Sequence, residues 1–279
     1  MRNFQDRVAV VTGAASGIGR ALSLALAARG AHLAISDIDE AGLAETAGRA
    51  RAAGVEVTTA RLDVADRAAF AAHADRVVAD HGRVNLVFNN AGVSVAGEIA
   101  ELPIADIEWL MGINYWGVVH GTQLFLPHLE ASGDGHVVNI SSVFGLIAVP
   151  GQGAYHSAKF AVRGFTECLR QELEVAGSCV SATCVHPGGI RTDIVRNARM
   201  AGALPDGLDR EGLNAQFERT ARTTPERAAE LILRGVARNR RRVLIGPEAY
   251  AIDWMQRLFP TAYQKILVAA ARRGRSVAL

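Results

Sequence analysis

A glycine-rich turn at residues 12–19 constrains the fold of this chain more than any other feature. A short apolar run at residues 8–11 precedes it, and a helical pattern at residues 21–29 follows it. Glycines let the backbone bend sharply and approach a pyrophosphate, while the start of a helix offers free amides and the positive end of its dipole. The order strand, turn, helix therefore predicts a dinucleotide site, although the spacing Gly-x-x-x-Gly-x-Gly differs from the general fingerprint. A tight turn that needs glycine for geometry alone is the alternative.

Strand-like and helix-like stretches alternate through the rest of the first half. Further strands are predicted at residues 32–36, 55–62 and 84–88, with helices at residues 39–53 and 66–81 between them. This alternation predicts a parallel sheet with helices on both faces. In such sheets ligands bind at the carboxyl edge, where each strand ends.

An acidic residue, Asp37, ends the second predicted strand. Its position suits a carboxylate that accepts hydrogen bonds from the adenosine ribose hydroxyls, where a 2′-phosphate would meet a like charge. Neither Ser16 nor Ile38 is a base that could neutralise such a phosphate. The sequence therefore favours NAD over NADP. The alternative role for Asp37 is that of N-cap of the following helix.

The third and fourth predicted strands also end in polar or small residues. Asp63 and Val64 follow the third strand, and the run Asn89-Asn90-Ala91-Gly92 follows the fourth. Asp63 can accept from the adenine amino group, or can merely end the strand. The small residues permit a close approach of backbone to ligand, and the asparagine amides can join neighbouring strand ends.

Tyr155 and Lys159 lie four residues apart on a predicted helix, and so share one face. Ser142 precedes Tyr155 by thirteen positions, at the end of an apolar strand-like run. A hydroxyl, a phenol and an ammonium at one sheet edge can move a proton to or from an alcohol or carbonyl oxygen. A neighbouring ammonium and a cationic cofactor would lower the tyrosine pKa from about 10. The alternative is an ordinary amphipathic helix that happens to carry both residues.

Two further stretches belong to this second half. Asn114 lies inside a predicted long helix, residues 103–130, where a buried amide is costly unless it is hydrogen-bonded. It can hold a water molecule or bond a neighbouring backbone carbonyl. The loop at residues 143–150 has almost no polar groups, so it must bury itself in the core or line an apolar pocket.

These motifs together resemble those of the classical short-chain dehydrogenase/reductase family. The matching residues are residues 12–19, Asp63, residues 89–92, Asn114, Ser142, Tyr155, Lys159 and Pro187-Gly188. The resemblance implies an α/β fold, a single-domain Rossmann-type doubly wound parallel sheet of about seven strands with helices on both faces. It also implies a domain at residues 1–246, a substrate lid at about residues 190–222 and a C-terminal helical extension at residues 247–279.

The resemblance implies a role for each catalytic candidate. Tyr155 is similar to the family's general acid/base, and Lys159 to the lysine that holds the nicotinamide ribose and lowers the tyrosine pKa. Ser142 resembles the hydroxyl that stabilises the reacting oxygen, and Asn114 the residue that holds a relay water. The expected cofactor-binding residues are Gly13, Ser16, Gly17, Ile18, Gly19, Asp37, Asp63, Val64, Asn90, Ala91, Gly92, Tyr155, Lys159, Pro187, Gly188, Ile190 and Thr192.

The expected reaction is hydride transfer between NAD and a secondary alcohol or ketone. Besides Ser142, the candidates for substrate contact are Phe144, Ile147 and Ile194, which suggest an apolar, steroid-like, lipid or aryl alcohol. An NADPH-dependent carbonyl reductase and a non-catalytic dinucleotide-binding sensor are the alternatives.

Composition narrows the classes of partner. The net charge of +2 gives no general attraction to nucleic acid. No apolar run approaches the roughly 18 residues of a membrane span, and no signal peptide is recognised, so a cytoplasmic protein is expected. The three cysteines, an odd number without Cys-x-x-Cys spacing, are expected to be small core residues, and no metal site is expected.

The resemblance further implies a homodimer or homotetramer, paired through the helices at residues 103–130 and 153–175. The extension at residues 247–279 has apolar residues at helical spacing, followed by arginines. It is expected to pack on a partner subunit or over the substrate mouth, with a basic amphipathic helix on a membrane surface as the alternative.

Overall fold

A seven-stranded parallel sheet organises the chain in the computed structural model, which describes residues 3–201, 211, 212, 215, 217, 219 and 221–272. In chain order the strands are β1 (Val8–Thr12), β2 (His32–Asp37), β3 (Val57–Arg61), β4 (Leu86–Asn89), β5 (Val95–Ala96), β6 (Gly135–Ile140), β7 (Val180–Pro187), β8 (Arg199–Met200) and β9 (Arg242–Ile245). The sheet has the order β3-β2-β1-β4-β6-β7-β9 with every neighbouring pair parallel. The predicted doubly wound α/β fold is confirmed.

Helices cover both faces of this sheet. Those whose bounds fall within the described residues are α1 (Gly17–Ala27), α2 (Glu40–Arg51), α3 (Arg67–His81), α4 (Ile104–Met111), α5 (Gly117–Ala131), α6 (Gly153–Val175), α7 (Pro225–Ala237), α8 (Pro247–Leu258) and α9 (Ala262–Ala271). On one face, α1 and α7 bury Leu22 and Ile232. On the other face, α3, α5 and α6 bury Phe70, Phe125 and Leu169. Both faces of the sheet are therefore dry, as parallel sheets require.

The strand order reverses beside β1, which pairs with β2 on one side and β4 on the other. Polar side chains join the strand ends here. The Asn90 side-chain nitrogen donates to the Thr12 carbonyl at 2.9 Å, and Asn89 donates to Asn139 at the end of β6 at 2.8 Å. A crevice at the reversal point of a parallel sheet is where such folds bind ligands.

The predicted long helix at residues 103–130 is interrupted. Between α4 and α5, residues Gly112–Trp116 form a π turn that contains the fully buried Asn114. Hydrophobic periodicity did not predict this turn, because one inserted residue rotates the following face by only about 100° and leaves the pattern helical.

A second, two-stranded parallel sheet joins β5 to β8, and the sequence did not predict it. Its strand β8 lies within residues 190–222, the segment that was expected to form a substrate lid. Of that region, residues 202–210, 213, 214, 216, 218 and 220 lie outside the described residues.

The expectation for the cysteines needs correction. Cys168 and Cys179 are exposed, and only Cys184 is buried, so two of the three cysteines are not core residues. Leu258 and Phe259 of the C-terminal region are exposed as well, whereas Tyr263 and Leu267 are buried against the loop after β6. Residues 273–279 lie outside the described part of the chain, in which no helix is long and apolar enough to cross a membrane.

A buried histidine in the sheet, His136, makes the stability of the fold depend on pH. His136 in β6 lies with Nε2 2.8 Å from the Thr183 hydroxyl of β7, and burial lowers its pKa to about 3. The folded protein therefore keeps this imidazole neutral at a pH where the unfolded chain, with a pKa near 6.5, binds a proton. The contribution of His136 to stability is present above pH 6.5 and is lost as pH falls towards the folded pKa.

We expect His136→Gln to flatten the acid limb of stability. Between about pH 6 and 4, the free energy of unfolding of the variant should fall less steeply, by up to about 1.4 kcal/mol per pH unit. Urea unfolding at several pH values measures both slopes. Thr183→Val is the matched control, because it removes the hydrogen-bond partner but retains the burial of His136, and so keeps the steep slope. Equal slopes for the wild type and His136→Gln would contradict this assignment.

Candidate active site

A cavity of about 670 Å³ opens at the carboxyl edge of the sheet, beside the reversal point. This volume is typical of ligand pockets. Sixteen of the seventeen residues expected to bind the cofactor line it: Gly13, Ser16, Gly17, Ile18, Asp37, Asp63, Val64, Asn90, Ala91, Gly92, Tyr155, Lys159, Pro187, Gly188, Ile190 and Thr192. Gly19 does not line the cavity, because it packs behind the turn against the Gly13 carbonyl and the Asn90 side chain.

The turn after β1 requires glycine at two cavity positions. Gly13 has a φ of +66°, and a Cβ there would lie 2.7 Å from the Ala91 Cα. Gly17 has a φ of +51°, and a Cβ there would lie 3.1 Å from the Thr192 methyl group. Side chains at these positions would be strained and would fill the floor of the cavity. The bare backbone, with α1 beginning at Gly17, fits the pyrophosphate of a dinucleotide.

Asp37 is held by backbone amides with its carboxylate at the cavity wall. Oδ2 accepts from the Ala15 amide at 2.9 Å, and Oδ1 accepts from the Asp39 amide at 3.0 Å. The alternative role as N-cap of α2 is wrong, because Asp39 is the N-cap and accepts from the Gly42 amide. Each Asp37 oxygen keeps a lone pair that can accept from a ribose hydroxyl.

Three of the four catalytic candidates, Ser142, Tyr155 and Lys159, meet in the same cavity. Tyr155 and Lys159 project from the first turns of α6, and Tyr155 forms a hydrogen bond with Ser142, which follows β6. The Lys159 ammonium donates to the Ile140 carbonyl at 2.9 Å and lies 5.5 Å from the centre of the Tyr155 ring. The Ser142 oxygen also accepts from the Phe144 amide at 3.1 Å. A hydroxyl, a phenol and a cation thus surround one point of the cavity.

Burial controls the ionisation of this group. It raises the pKa of Tyr155 to about 12, although the hydrogen bond to Ser142 lowers it, and it lowers the pKa of Lys159 to about 8. For the phenolate, desolvation therefore outweighs the stabilisation that the Ser142 hydrogen bond provides. This direction is opposite to the lowered tyrosine pKa that the resemblance implies. The ammonium is held at the Ile140 carbonyl and faces the ring of Tyr155.

Asn114 lies behind this group and not in the cavity wall. Its side-chain oxygen accepts from the Val93 amide, and its side-chain nitrogen donates to the Val93 carbonyl, both at 2.8 Å. A Cβ added at Gly92 would lie 3.4 Å from the Asn114 oxygen and 3.7 Å from the Lys159 nitrogen, so the two side chains approach the same glycine. The backbone partner that the sequence allowed is therefore present.

The other end of the cavity is mostly apolar. Of the predicted substrate-contact residues, Ser142, Phe144 and Ile194 line it, but Ile147 does not. Ile147 is fully buried, because the loop after β6 turns it towards α8 and α9, where it packs in one cluster with Ile252 and Tyr263. Sequence reasoning missed these lining residues: Ala96, Trp109, Val149, Gln152 and Phe217.

Two of the missed residues had a signal in the sequence. Phe217 belongs to the segment expected to form the substrate lid. Val149 belongs to the apolar loop that was expected to line a pocket. Trp109 in α4 had none, because its position depends on β8, whose Arg199 guanidinium stacks 3.5 Å from the Trp109 ring centre. No group of three or more His, Cys, Asp or Glu side chains within the described residues could hold a metal ion.

Comparison with known proteins agrees with this geometry. The family model for short chain dehydrogenases matches residues 7–202. SadH of Mycobacterium tuberculosis, which is classed as an oxidoreductase, is 52% identical over 274 residues, or 98% of each chain. EphD of Mycobacterium bovis, also classed as an oxidoreductase, is 36% identical over 93% of this chain and 44% of its own length. A Burkholderia phymatum short-chain dehydrogenase/reductase, solved in complex with NAD, superposes with a TM-score of 0.85, with 33% identity and coverage of 94% and 97%. The chain belongs to the short-chain dehydrogenase/reductase family of oxidoreductases.

Proposed function

We propose that this chain is an NAD-dependent dehydrogenase that transfers hydride between the nicotinamide and an apolar secondary alcohol or ketone, with Tyr155 as general acid/base. The observation that carries the proposal is the meeting of Tyr155, Ser142 and Lys159 in the cavity that also contains Asp37. An intact proton-transfer group argues against a sensor that binds a dinucleotide without chemistry.

The residues of the cavity fit a nicotinamide dinucleotide. The glycine turn can receive the pyrophosphate, and Asp37 the hydroxyls of the adenosine ribose. Asp63, Val64 and the backbone of residues 90–92 lie in the same wall and can hold the adenine and the nicotinamide ribose. The segment at residues 187–192 can hold the nicotinamide carboxamide through Thr192. When bound, the cofactor supplies or accepts the hydride.

Tyr155 performs the proton step in this mechanism. In reduction its hydroxyl donates a proton to the substrate oxygen, and in oxidation its phenolate accepts one. Ser142 can donate a hydrogen bond to the same oxygen and stabilise the charge that develops there. Lys159 can bind the nicotinamide ribose and, with a cationic ring nearby, lower the pKa of Tyr155 from the high value that burial sets. We propose that Asn114 binds a water molecule of a proton relay beside Lys159. Its side-chain oxygen can accept, and its side-chain nitrogen can donate, one more hydrogen bond besides those to Val93.

The substrate class follows from the apolar end of the cavity. Trp109, Phe144, Val149, Ile194 and Phe217 supply a hydrophobic wall that excludes water from the reacting carbon. This wall supports a bulky apolar alcohol or ketone, because burial of apolar surface is the main attraction that such residues offer. A steroid-like, lipid or aryl alcohol meets that description.

The proposal extends to the oligomeric state and the cellular compartment of the protein. We infer a cytoplasmic homodimer or homotetramer that pairs through α4–α5 and α6, where Trp116 and Phe160 expose large apolar side chains. Residues 1–246 would then be the catalytic domain, and residues 247–279 a C-terminal extension that packs on a partner subunit or over the substrate mouth. A monomer by light scattering at micromolar concentration would contradict the pairing.

We expect Tyr155→Phe to reduce turnover by about 10²–10⁴-fold, because it removes the proton donor and acceptor. NADH binding should stay within about twofold, since the ring is retained. An NAD-coupled assay with secondary alcohols measures turnover, and quenching of Trp109, which lines the cavity, reports binding. The control is Tyr115→Phe, which alters a half-buried tyrosine outside the cavity and should keep full activity. Undiminished turnover in Tyr155→Phe would contradict the assignment.

We expect the wild type to bind NADH at least about tenfold more tightly than NADPH, a difference of about 1.4 kcal/mol. Repulsion between the Asp37 carboxylate and a 2′-phosphate is the reason. In Asp37→Asn the ratio of the two dissociation constants should approach one. Asp66→Asn, which alters the N-cap of α3 away from the cavity, should keep the wild-type ratio. Equal affinities in the wild type would favour the NADPH-dependent alternative.

A further inference from the structure

His156 follows Tyr155 on α6, but its side chain points away from the cavity into the loop after β6. Its Nδ1 lies 3.1 Å from the Phe144 carbonyl oxygen, and its Nε2 accepts from the Val149 amide at 3.1 Å. The imidazole is buried and does not line the cavity. One side chain therefore bridges the two ends of residues 144–149.

The two partners define the chemical form of this imidazole. A carbonyl oxygen only accepts, so Nδ1 must carry a proton; an amide N–H only donates, so Nε2 must be unprotonated. Only the neutral Nδ1–H tautomer makes both bonds. A protonated ring would turn an N–H towards the Val149 N–H. Burial lowers the pKa of His156, which favours the neutral form.

Other polar groups meet this loop at different atoms. The Arg163 guanidinium donates to the Gly145 carbonyl at 3.4 Å, and the Tyr263 hydroxyl accepts from the Ala148 amide at 3.3 Å. On the inner side of α6, the Lys159 ammonium donates to the Ile140 carbonyl. Neither of the His156 bonds is duplicated by these contacts.

The bridged residues form part of the substrate wall. Phe144 and Val149 both line the cavity. The Phe144 ring stands edge-on to Tyr155, with ring centres 6.2 Å apart and an interplanar angle of 88°, and its centre lies 4.6 Å from that of His156. His156 thus sets the position of the apolar wall relative to the proposed acid/base on the same helix.

We propose that His156 is a positioning residue that ties residues 144–149 to the catalytic helix through its neutral imidazole and so determines selectivity for bulky apolar substrates. The selectivity part rests on the proposed function. The tie itself rests on the two hydrogen bonds and is tested without turnover.

Three variants separate the hydrogen bonds from packing. His156→Phe keeps a ring against Phe144 and removes both bonds. His156→Gln offers an amide that can donate to the Phe144 carbonyl and accept from the Val149 amide, and so should rescue the tie. Ser157→Ala is the matched control, because this exposed hydroxyl donates to the Gly153 carbonyl of its own helix and forms no bond to the loop at residues 144–149.

Hydrogen exchange of the Val149 amide is the readout that needs no substrate. We expect protection to fall about tenfold or more in His156→Phe and to stay near wild type in His156→Gln and Ser157→Ala. As pH falls below about 6.5, wild-type protection should decrease while His156→Gln stays constant, because glutamine does not titrate. Imidazole ¹⁵N shifts should show the Nδ1–H tautomer at neutral pH.

Kinetics then test selectivity in the same variants. In His156→Phe we expect KM for a bulky aryl or cyclic secondary alcohol to rise about tenfold, while KM for 2-propanol and the NADH dissociation constant stay within about twofold. His156→Gln should restore the ratio of the two KM values.

Each outcome decides one part of the proposal. Unchanged Val149 exchange in His156→Phe overturns the tie, whatever the activity. Faster exchange with an unchanged KM ratio overturns the selectivity role. A wild type that oxidises no secondary alcohol contradicts the proposed function instead, and the exchange result still decides whether His156 ties the loop.

Discussion

The hydrogen bonds between Thr12 and Asn90 hold together the place on which the rest of the site depends. The Thr12 hydroxyl accepts from the amides of Asn90 and Ala91, both at 3.1 Å, and the Asn90 side chain donates back to the carbonyls of Thr12 and Gly13. These bonds join the ends of β1 and β4, the two strands between which the helices change faces. They also leave the backbone of the glycine turn bare towards the cavity. Without these bonds, the turn after β1 and the residues after β4 would no longer be held in a fixed position relative to each other.

Desolvation is the second effect on which the site depends, and it shifts the pKa values of Tyr155 and Lys159 in opposite directions. Burial disfavours the charged form of both side chains. It raises the pKa of Tyr155, which keeps the phenol neutral, and it lowers the pKa of Lys159, which brings the ammonium closer to losing its proton. The Ile140 carbonyl partly compensates the buried ammonium by accepting its hydrogen bond. The balance is sensitive to any further positive charge placed nearby. Under the proposed function, a cationic nicotinamide ring bound beside Tyr155 would favour the phenolate and lower the pKa of this side chain.

The sequence predicted well what depends on strand order and spacing, and poorly what depends on side-chain direction. The parallel sheet with helices on both faces followed from the alternation of strand and helix patterns, and its doubly wound order from the family resemblance. Asp37 lies at the cavity because the sheet fixes the position of each strand end. Asn114 was recognised as a buried amide, but its partner could not be chosen, because the π turn leaves no trace in the hydrophobic pattern. Ile147 was placed wrongly, since an apolar loop residue can face a pocket or the core, and α8 and α9 decide which. Trp109 and His156 gave no signal, because their partners lie in segments that periodicity does not connect to them.

The contact between Tyr263 and the loop after β6 has a consequence for how this protein can diverge. The Tyr263 hydroxyl accepts from the Ala148 amide, and its ring packs with Leu146 and Ile147. The chain's last described helix thus braces the outer side of a loop whose inner side borders the cavity, across 115 positions of sequence. Exchanging only the C-terminal region between relatives would remodel the substrate wall while every proton-handling residue stayed in place. Under the proposed function, changes in this helix would therefore alter which substrates fit while leaving the proton-transfer chemistry intact, because Tyr263 does not line the cavity.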